Sequence, residues 1–232
     1  MSVFLLNESI GFPDPHLAEK DGLLAAGGDV RPQRLLDAYT QGIFPWSSEG
    51  EPVLWWCPSP RMVIFPEQLH IGRSLAKAIR REEGKLRLTM DQDFAGVMQG
   101  CAETPRPGQD GTWITPELLA GMTELHRRGI VHSVEVWAEE ELVAGLYGLG
   151  LGAVFCGESM FTRRPNASKI AFVALVRQLQ RWGFTMIDCQ QETEHMRRFG
   201  GSKIDLDTFL GQLRRGVAAP WRAGPWSFEA PT

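Results

Sequence analysis

No stretch of this 232-residue sequence is apolar for long enough to span a bilayer, and its opening MSVFLLNESIGF lacks the basic region and apolar core of a secretory leader. The four cysteines, Cys57, Cys101, Cys156 and Cys189, are scattered without a CxxC pair. That argues against disulfides and zinc, and for reduced, mostly buried thiols in a cytoplasmic protein. His16, His70, His126 and His132 lack metal-ligand spacing, so no metal is expected. A Walker lysine loop is missing. Gly148, Gly150 and Gly152 are wrongly spaced for a dinucleotide loop and lead into a strand rather than a helix, which predicts a bend or bulge in a sheet. No internal repeat or low-complexity segment is present. Positive charge is also not in excess: 24 Lys and Arg against 28 Asp and Glu leave a net charge of −4, which argues against a protein that simply coats nucleic acid.

What is present belongs to an ordinary globular protein, 43% hydrophobic and 22% charged, long enough for one large domain or a core domain with a smaller one. Cationic residues cluster locally. Arg73, Lys77, Arg80, Arg81, Lys85 and Arg87 form one run, and Arg197, Arg198, Lys203, Arg214, Arg215 and Arg222 another. Each alone reads as a solvated helix face; two together raise the prospect of a phosphate-bearing partner.

Residues 1–60 differ from the rest. A Gly- and Ala-rich stretch precedes a helix that begins near Pro32 and stops at Gly42, followed by a Pro- and Trp-rich segment with Trp46, Trp55 and Trp56. Its prolines exclude regular helix or central strand, so an ordered loop is expected, and a domain boundary near Arg61. Beyond it, periodicity predicts the order β-α-β-α-α-β-β-β-α-β-α, with a hairpin turning at 139–141 and Asp91 capping the helix that carries Phe94. Helices interrupting a sheet that is antiparallel in its middle define an α+β class. Residues 157–190 read as a loop, a helix capped by Asn166 and stopped by Gly183, and a short strand over 184–187. Glu158 stands at one end; Asp188 and Gln190 stand at the other, on one face if the strand persists. Cys189 paired with His195 as a thiol nucleophile is disfavoured, because six residues in one loop give no warrant for contact.

Read as motifs, FPW at 44–46, LWWCPSPR at 54–61, GTWI at 111–114, FCGESMF at 155–161, NASKIA at 166–171 and IDCQ at 187–190 together resemble the leucyl/phenylalanyl-tRNA–protein transferase family. The resemblance implies a small N-terminal domain (1–60) and a C-terminal domain (61–232) of acetyltransferase-like, GNAT-type fold with a mixed, largely antiparallel sheet. It also implies an aminoacyltransferase that moves Leu or Phe, less readily Met, from aminoacyl-tRNA to the N-terminal Arg or Lys of proteins. The peptide bond so formed marks the acceptor for degradation. A cytoplasmic enzyme working without cofactor is expected, and nothing demands more than a monomer.

By similarity, Asp188 and Gln190 match a catalytic pair and Glu158 a site glutamate that holds a cationic group, either the acceptor's basic side chain or an α-ammonium. Trp46 and Trp113 resemble residues that stack near the terminal adenosine of the tRNA. The side-chain pocket would use Leu146, Phe155, Gly157, Leu175, Leu179 and Ile187. Leu146 stands where the family pattern has Met, and Leu175 and Leu179 where it has Phe, so the apolar class is implied but the Leu-to-Phe preference is not. The tRNA acceptor stem is assigned to Arg73, Lys77, Arg80 and Arg81. Two rivals stand beside this reading: an acyl-thioester transferase, which would want a glycine-rich loop where Arg163-Arg164-Pro165-Asn166-Ala167 lies, and a non-catalytic tRNA- or peptide-binding module.

Overall fold

The computed structural model describes residues 3–9, 11–48, 50–104 and 112–229. Gly111 of the GTWI motif and most of the polar loop before Trp113 lie outside the described residues. The first part of the chain forms a small four-stranded sheet in the order β1-β2-β4-β3. Its strands are β1 (Phe4–Leu6), β2 (Leu23–Gly27), β3 (Phe44–Pro45) and β4 (Leu54–Trp56), with helix α1 (Pro32–Thr40) between β2 and β3. The segment expected as loop thus contains two short strands. Its prolines are compatible with them because Pro45 lies on the edge strand β3, while Pro52 and Pro58 flank β4 rather than interrupt it.

The sheet changes at Arg61. From there run β5 (Arg61–Ile64), α2 (Arg73–Glu82), β6 (Arg87–Met90), α3 (Phe94–Glu103), α4 (Pro116–Arg127), β7 (Val131–Ala138), β8 (Glu141–Leu151), β9 (Val154–Thr162), α5 (Ala167–Arg181), β10 (Met186–Asp188), α6 (Glu194–Arg198), β11 (Ser202–Ile204) and α7 (Leu206–Val217). The strands form a seven-stranded sheet ordered β11-β5-β10-β9-β8-β7-β6. Every pairing is antiparallel except β9 with β10, so the sheet is mixed and largely antiparallel, and the class is α+β as expected. The 139–141 turn closes the β7–β8 hairpin, with Glu139 in the left-handed region. Strand β11 escaped sequence reasoning, because three residues ending in Lys203-Ile204 carry no readable alternation.

Two local expectations differ in detail. Asn166 occupies the cap position of α5 at φ 66°, but its side chain makes no capping bond. Asp93, not Asp91, caps α3 by accepting from the Gly96 N–H. Asp91 instead accepts from the Ser133 N–H, the Trp226 N–H and the His132 ring, which ties the C-terminal segment to the sheet. Trp226 is buried and stacks on His132 with centroids 3.6 Å apart, so this one side chain pins the otherwise largely exposed segment around it to the sheet.

One apolar cluster joins the two sheets. It contains Leu24, Leu35, Tyr39 and Trp55 from the first part together with Phe94, Met122, Tyr147 and Phe209 from the second. A second cluster lies between α5 and the other face of the large sheet, through Leu146, Phe155, Phe172, Leu175, Leu179 and Ile187. On α5, Ile170 and Val173 are buried, Ala174 is half-buried and Arg177 is exposed, whereas Gln178, a polar residue expected on the outer face, is fully buried and bonded to Arg181 and the Glu229 N–H.

Candidate active site

Two irregularities of the large sheet create the site. Strands β9 and β10 run parallel only as far as Cys156 and Asp188, after which they part. At the same level the β8–β9 pairing slips: Tyr147 faces Ser159 and Gly148 faces Gly157, which leaves Glu158 as the extra residue of a β-bulge. A bulge re-aims one side chain away from the regular alternation. It falls at Gly148, within the glycine series that predicted a sheet irregularity. A Cβ on Gly148 would lie 2.2 Å from the Cys156 carbonyl oxygen and 2.6 Å from the Phe155 ring, so only glycine permits this approach.

Between the parted strands lies a cavity of about 390 Å³. Leu146, Phe155, Gly157, Leu175 and Ile187 line it, joined by Phe172, Met160 and Met196. Leu179 is fully buried one helical turn beyond Leu175 and does not line the cavity; it supports the wall from behind. Phe172 and Met196 were not singled out from the sequence. Phe172 lies three residues before Leu175 on α5, a spacing that could have marked it.

Glu158, Cys189, Gln190 and Thr193 line both this cavity and a neighbouring cleft of about 210 Å³. The cleft's other walls include Phe44, Trp46 and Trp113. The Trp56 indole donates to the Trp46 carbonyl at 2.8 Å, and their rings lie 5.9 Å apart, so Trp46 is held by its own strand pair. Trp55, by contrast, is fully buried, with its indole donating to the Gly27 carbonyl.

Gln190 follows the end of β10 in the left-handed region, at φ 60°. The strand therefore does not persist to it, and the shared face expected for Asp188 and Gln190 does not form. Asp188 turns inward and is 2% exposed. Its carboxylate accepts two bonds from the Arg61 guanidinium, at 2.8 and 2.7 Å, and one from the Gln190 backbone N–H at 2.8 Å. It lies under the cavity and lines neither space. The Gln190 side chain points the other way, and its amide nitrogen donates to Glu158 Oε1 at 2.7 Å. With its N–H group so committed, the amide oxygen is left as an acceptor.

Burial pushes the Glu158 carboxyl up to about 7. Asp188 adds to the rise, while the Tyr39 hydroxyl, the Gln190 amide and Arg61 oppose it. The Tyr39 hydroxyl acts on Glu158 from α1, although the contact falls short of well-formed hydrogen-bond geometry. The thiols are suited to no such role. Burial and the charge of Asp188 push Cys189 well above its ordinary value, and burial pushes Cys57 up to about 11. No group of His, Cys, Asp and Glu side chains that could hold a metal ion occurs among the described residues.

Arg73, Lys77, Arg80 and Arg81 are all exposed on α2, whose apolar side places Leu75 and Ile79 against the cluster that backs the cavity. Half of the second cationic run is matched by carboxylates: Arg197 and Lys203 pair with Glu192, and Arg198 with Glu194.

A hydrogen-bonding amide and a carboxyl raised by burial thus stand between an apolar side-chain cavity and an aromatic cleft on an α+β scaffold. Two family models match the sequence, the leucyl/phenylalanyl-tRNA protein transferase N-terminal domain over residues 28–59 and leucyl/phenylalanyl-tRNA protein transferase over residues 63–214. The chain belongs to that family. It is 52% identical over 230 residues to a leucyl/phenylalanyl-tRNA–protein transferase of Anaeromyxobacter sp. (strain Fw109-5), covering 99% of this chain and 97% of the relative. A protein of the same name from Myxococcus xanthus (strain DK1622) is 50% identical over 229 residues, covering 98% and 97%. Among solved structures, L-PGS from Bacillus licheniformis aligns at TM-score 0.41 and 10% identity, covering 72% of this chain and 59% of that one. A GCN5-related N-acetyltransferase from Kribbella flavida aligns at TM-score 0.36 and 13% identity, covering 71% and 58%. Both structural similarities are too distant to bear on the site.

Proposed function

We propose that this protein transfers Leu or Phe, less readily Met, from aminoacyl-tRNA to the N-terminal Arg or Lys of a protein, forming a peptide bond that marks the acceptor for degradation. The observation that carries this is the position of Glu158 and Gln190, which line both the apolar cavity and the tryptophan cleft. The donor's side chain fills the cavity. Its ester, attached to the terminal adenosine, lies at the junction, and Trp46 and Trp113 pack against the base; stacking of this kind is typically worth about 1–3 kcal/mol. Phosphates of the acceptor stem meet Arg73, Lys77, Arg80 and Arg81, contacts that are indifferent to sequence and so suit tRNAs for different amino acids.

The acceptor's α-amine arrives as an ammonium and has to lose a proton before it can attack the ester. Glu158 takes this proton. A free α-amine has an ordinary pKa of about 7.7–8.0. A carboxyl at about 7 therefore lies within roughly one unit of it, and the transfer costs only about 1 kcal/mol. Gln190 accepts a hydrogen bond from the amine through its free amide oxygen and aims the nitrogen lone pair at the carbonyl carbon. The C–N bond forms as the bond to the ribose oxygen breaks; the departing oxygen takes its proton from the neighbouring ribose hydroxyl, which is in turn reprotonated by the second proton the amine nitrogen gives up on becoming an amide. The ester is already activated, so holding both substrates at one junction supplies much of the rate, with effective molarity worth up to about 7–11 kcal/mol in favourable systems. Asp188 is placed to orient Gln190 through the backbone and does not touch the substrates.

The division into residues 1–60 and 61–232 is part of the same proposal, supported by the change of sheet at Arg61. The cytoplasm is the proposed compartment, because aminoacyl-tRNA is made there. Incubation of labelled Phe-tRNA with a peptide bearing N-terminal Arg tests the activity. The expected product is the peptide extended by one Phe, and N-acetylation of the peptide should abolish it. Tight binding of both substrates without transfer would instead make the protein a binding module.

A further inference from the structure

Arg61 closes the LWWCPSPR motif, yet the transfer chemistry gives it nothing to do. It is 1% exposed, on β5, and lines neither the cavity nor the cleft. Its guanidinium is fixed on three sides. Nε and Nη2 form the fork to Asp188, the Phe44 ring lies 4.9 Å from its central carbon, and the Phe209 ring lies 4.5 Å away. Phe44 comes from the small sheet and Phe209 from α7, so four separate elements converge on this one ion pair.

The pair is not built for stability alone. Arg61 Nη1 is buried without a hydrogen-bond partner among the described residues, a loss that an apolar pair of the same volume would avoid. What the pair does hold is the backbone after β10. Asp188 Oδ1 receives Arg61 Nε and the Gln190 N–H together, and Gln190 keeps a left-handed conformation that a side chain seldom adopts unaided. The Cys189 N–H donates to the Met62 carbonyl and the Met62 N–H to the Gln190 carbonyl, so the residue beside Arg61 grips the same turn from the other strand. That turn sends the Gln190 amide to Glu158.

We propose that Arg61 is a positioning residue for aminoacyl transfer: through its fork to Asp188 it fixes the left-handed turn at Gln190 and thereby the direction of the Gln190 amide. The proposal rests on the transfer reaction set out above. Charge from the same pair also reaches Glu158, where Arg61 and Asp188 act in opposite directions. The other groups around Glu158 are Tyr39 from α1, Tyr147 from β8, Cys156 from β9 and Cys189 beyond β10.

The decisive variant replaces both partners, Arg61→Met with Asp188→Leu, because an apolar pair of similar volume commonly preserves stability where a single replacement strands a buried charge. Its thermal midpoint is measured together with kcat and KM for Phe transfer to a peptide with N-terminal Arg. The expected result is a midpoint within a few degrees of the wild type, KM for Phe-tRNA within about twofold, and kcat lower by at least tenfold. Adding Gln190→Ala to the pair should lower kcat by much less than Gln190→Ala does in the wild type, because both changes remove the same orientation. Wild-type kcat in the paired variant, or losses that multiply in the triple variant, would overturn the role of Arg61. Should the paired variant fail to fold, Arg61→Lys keeps the charge, loses the fork, and is compared with and without Gln190→Ala in the same way. A wild-type protein that transfers nothing to the peptide would overturn the reaction itself, a failure distinct from any of these.

Discussion

Replacement of Glu158 by Gln separates the proton-accepting role of this residue from its packing, because Gln keeps the shape and one acceptor oxygen but cannot titrate. Burial raises the carboxyl from its ordinary 4.5 to about 7, a difference of about 2.5 units, worth an upper bound of about 3 kcal/mol. The sign follows from proton uptake. A raised folded-state value means that the folded protein binds the proton more tightly than the unfolded chain does. The associated stability is therefore complete below about pH 4.5 and is lost as pH rises through 7. Glu158→Gln should consequently gain on the wild type across that window, by up to about 3 kcal/mol at pH 8, and the gain should vanish at pH 4.5. For a chain of this size each kcal/mol moves the melting midpoint by about 2–4 °C. Residual water in the cavity screens the charge and reduces the observed value below that bound. The assay is a pair of thermal melts at half-unit steps between pH 4.5 and 8.5, read beside kcat/KM for transfer. In the wild type kcat/KM should rise with pH as Glu158 ionises near 7, whereas the variant should lose most of its rate and its acidic limb should move to the ionisation of the acceptor amine itself, about 7.7–8.0. A stability difference that stays flat between pH 5 and 8.5 would refute the buried-carboxyl account, and an unchanged acidic limb would show that another group takes the proton.

Neutralising Arg80 and Arg81 should raise KM for aminoacyl-tRNA and flatten its dependence on salt, since each lost phosphate contact reduces the slope of log K against log salt by roughly 0.7–0.9; an unchanged slope would place the acceptor stem elsewhere. Leu175→Phe, which narrows the cavity, should disfavour Phe-tRNA against Leu-tRNA by about 1–3 kcal/mol in relative kcat/KM, measured by direct competition. Trp113→Ala should raise KM for aminoacyl-tRNA by the equivalent of about 1–3 kcal/mol while leaving KM for the acceptor peptide near its wild-type value. Gly148→Ala drives a Cβ into the Cys156 carbonyl and the Phe155 ring, and should cost about 1–3 kcal/mol in a denaturant titration and deform the cavity as well.

Much of the fold was legible because the large sheet obeys local rules. The β7–β8 hairpin announces itself through alternation on either side of an acidic turn, and α5 through an apolar stripe ended by Gly183. The small sheet was not legible: its strands are two to five residues long and read FLL, LLAAG, FP and LWW, runs too short and too uniformly apolar to show a period. The site was visible in part. Glu158 and Gln190 stood out by type and position, but strand alternation predicted that Asp188 would share the face of Gln190. The left-handed turn defeats that, and a φ reversal at a non-glycine residue leaves no mark in sequence. Arg61 was hidden for a different reason. A buried cation is recognisable only by its partner, here 127 residues away.

The cluster that joins the two sheets also governs how the site can come into being. Tyr39 acts on Glu158 from α1, Phe44 covers one face of Arg61 from β3, and Trp46 walls the cleft from just beyond β3. The buried residues of the amino-terminal part, Leu24, Leu35, Tyr39 and Trp55, belong to one apolar cluster with Phe94, Met122, Tyr147 and Phe209, so a unit of only about 60 residues has its core completed by the larger sheet. The amino-terminal part therefore gains its order from docking, and the docked surface is the wall of the site. Folding and the assembly of the catalytic junction form one cooperative event, so a partly unfolded molecule with its small sheet detached is at once a molecule without a substrate cleft.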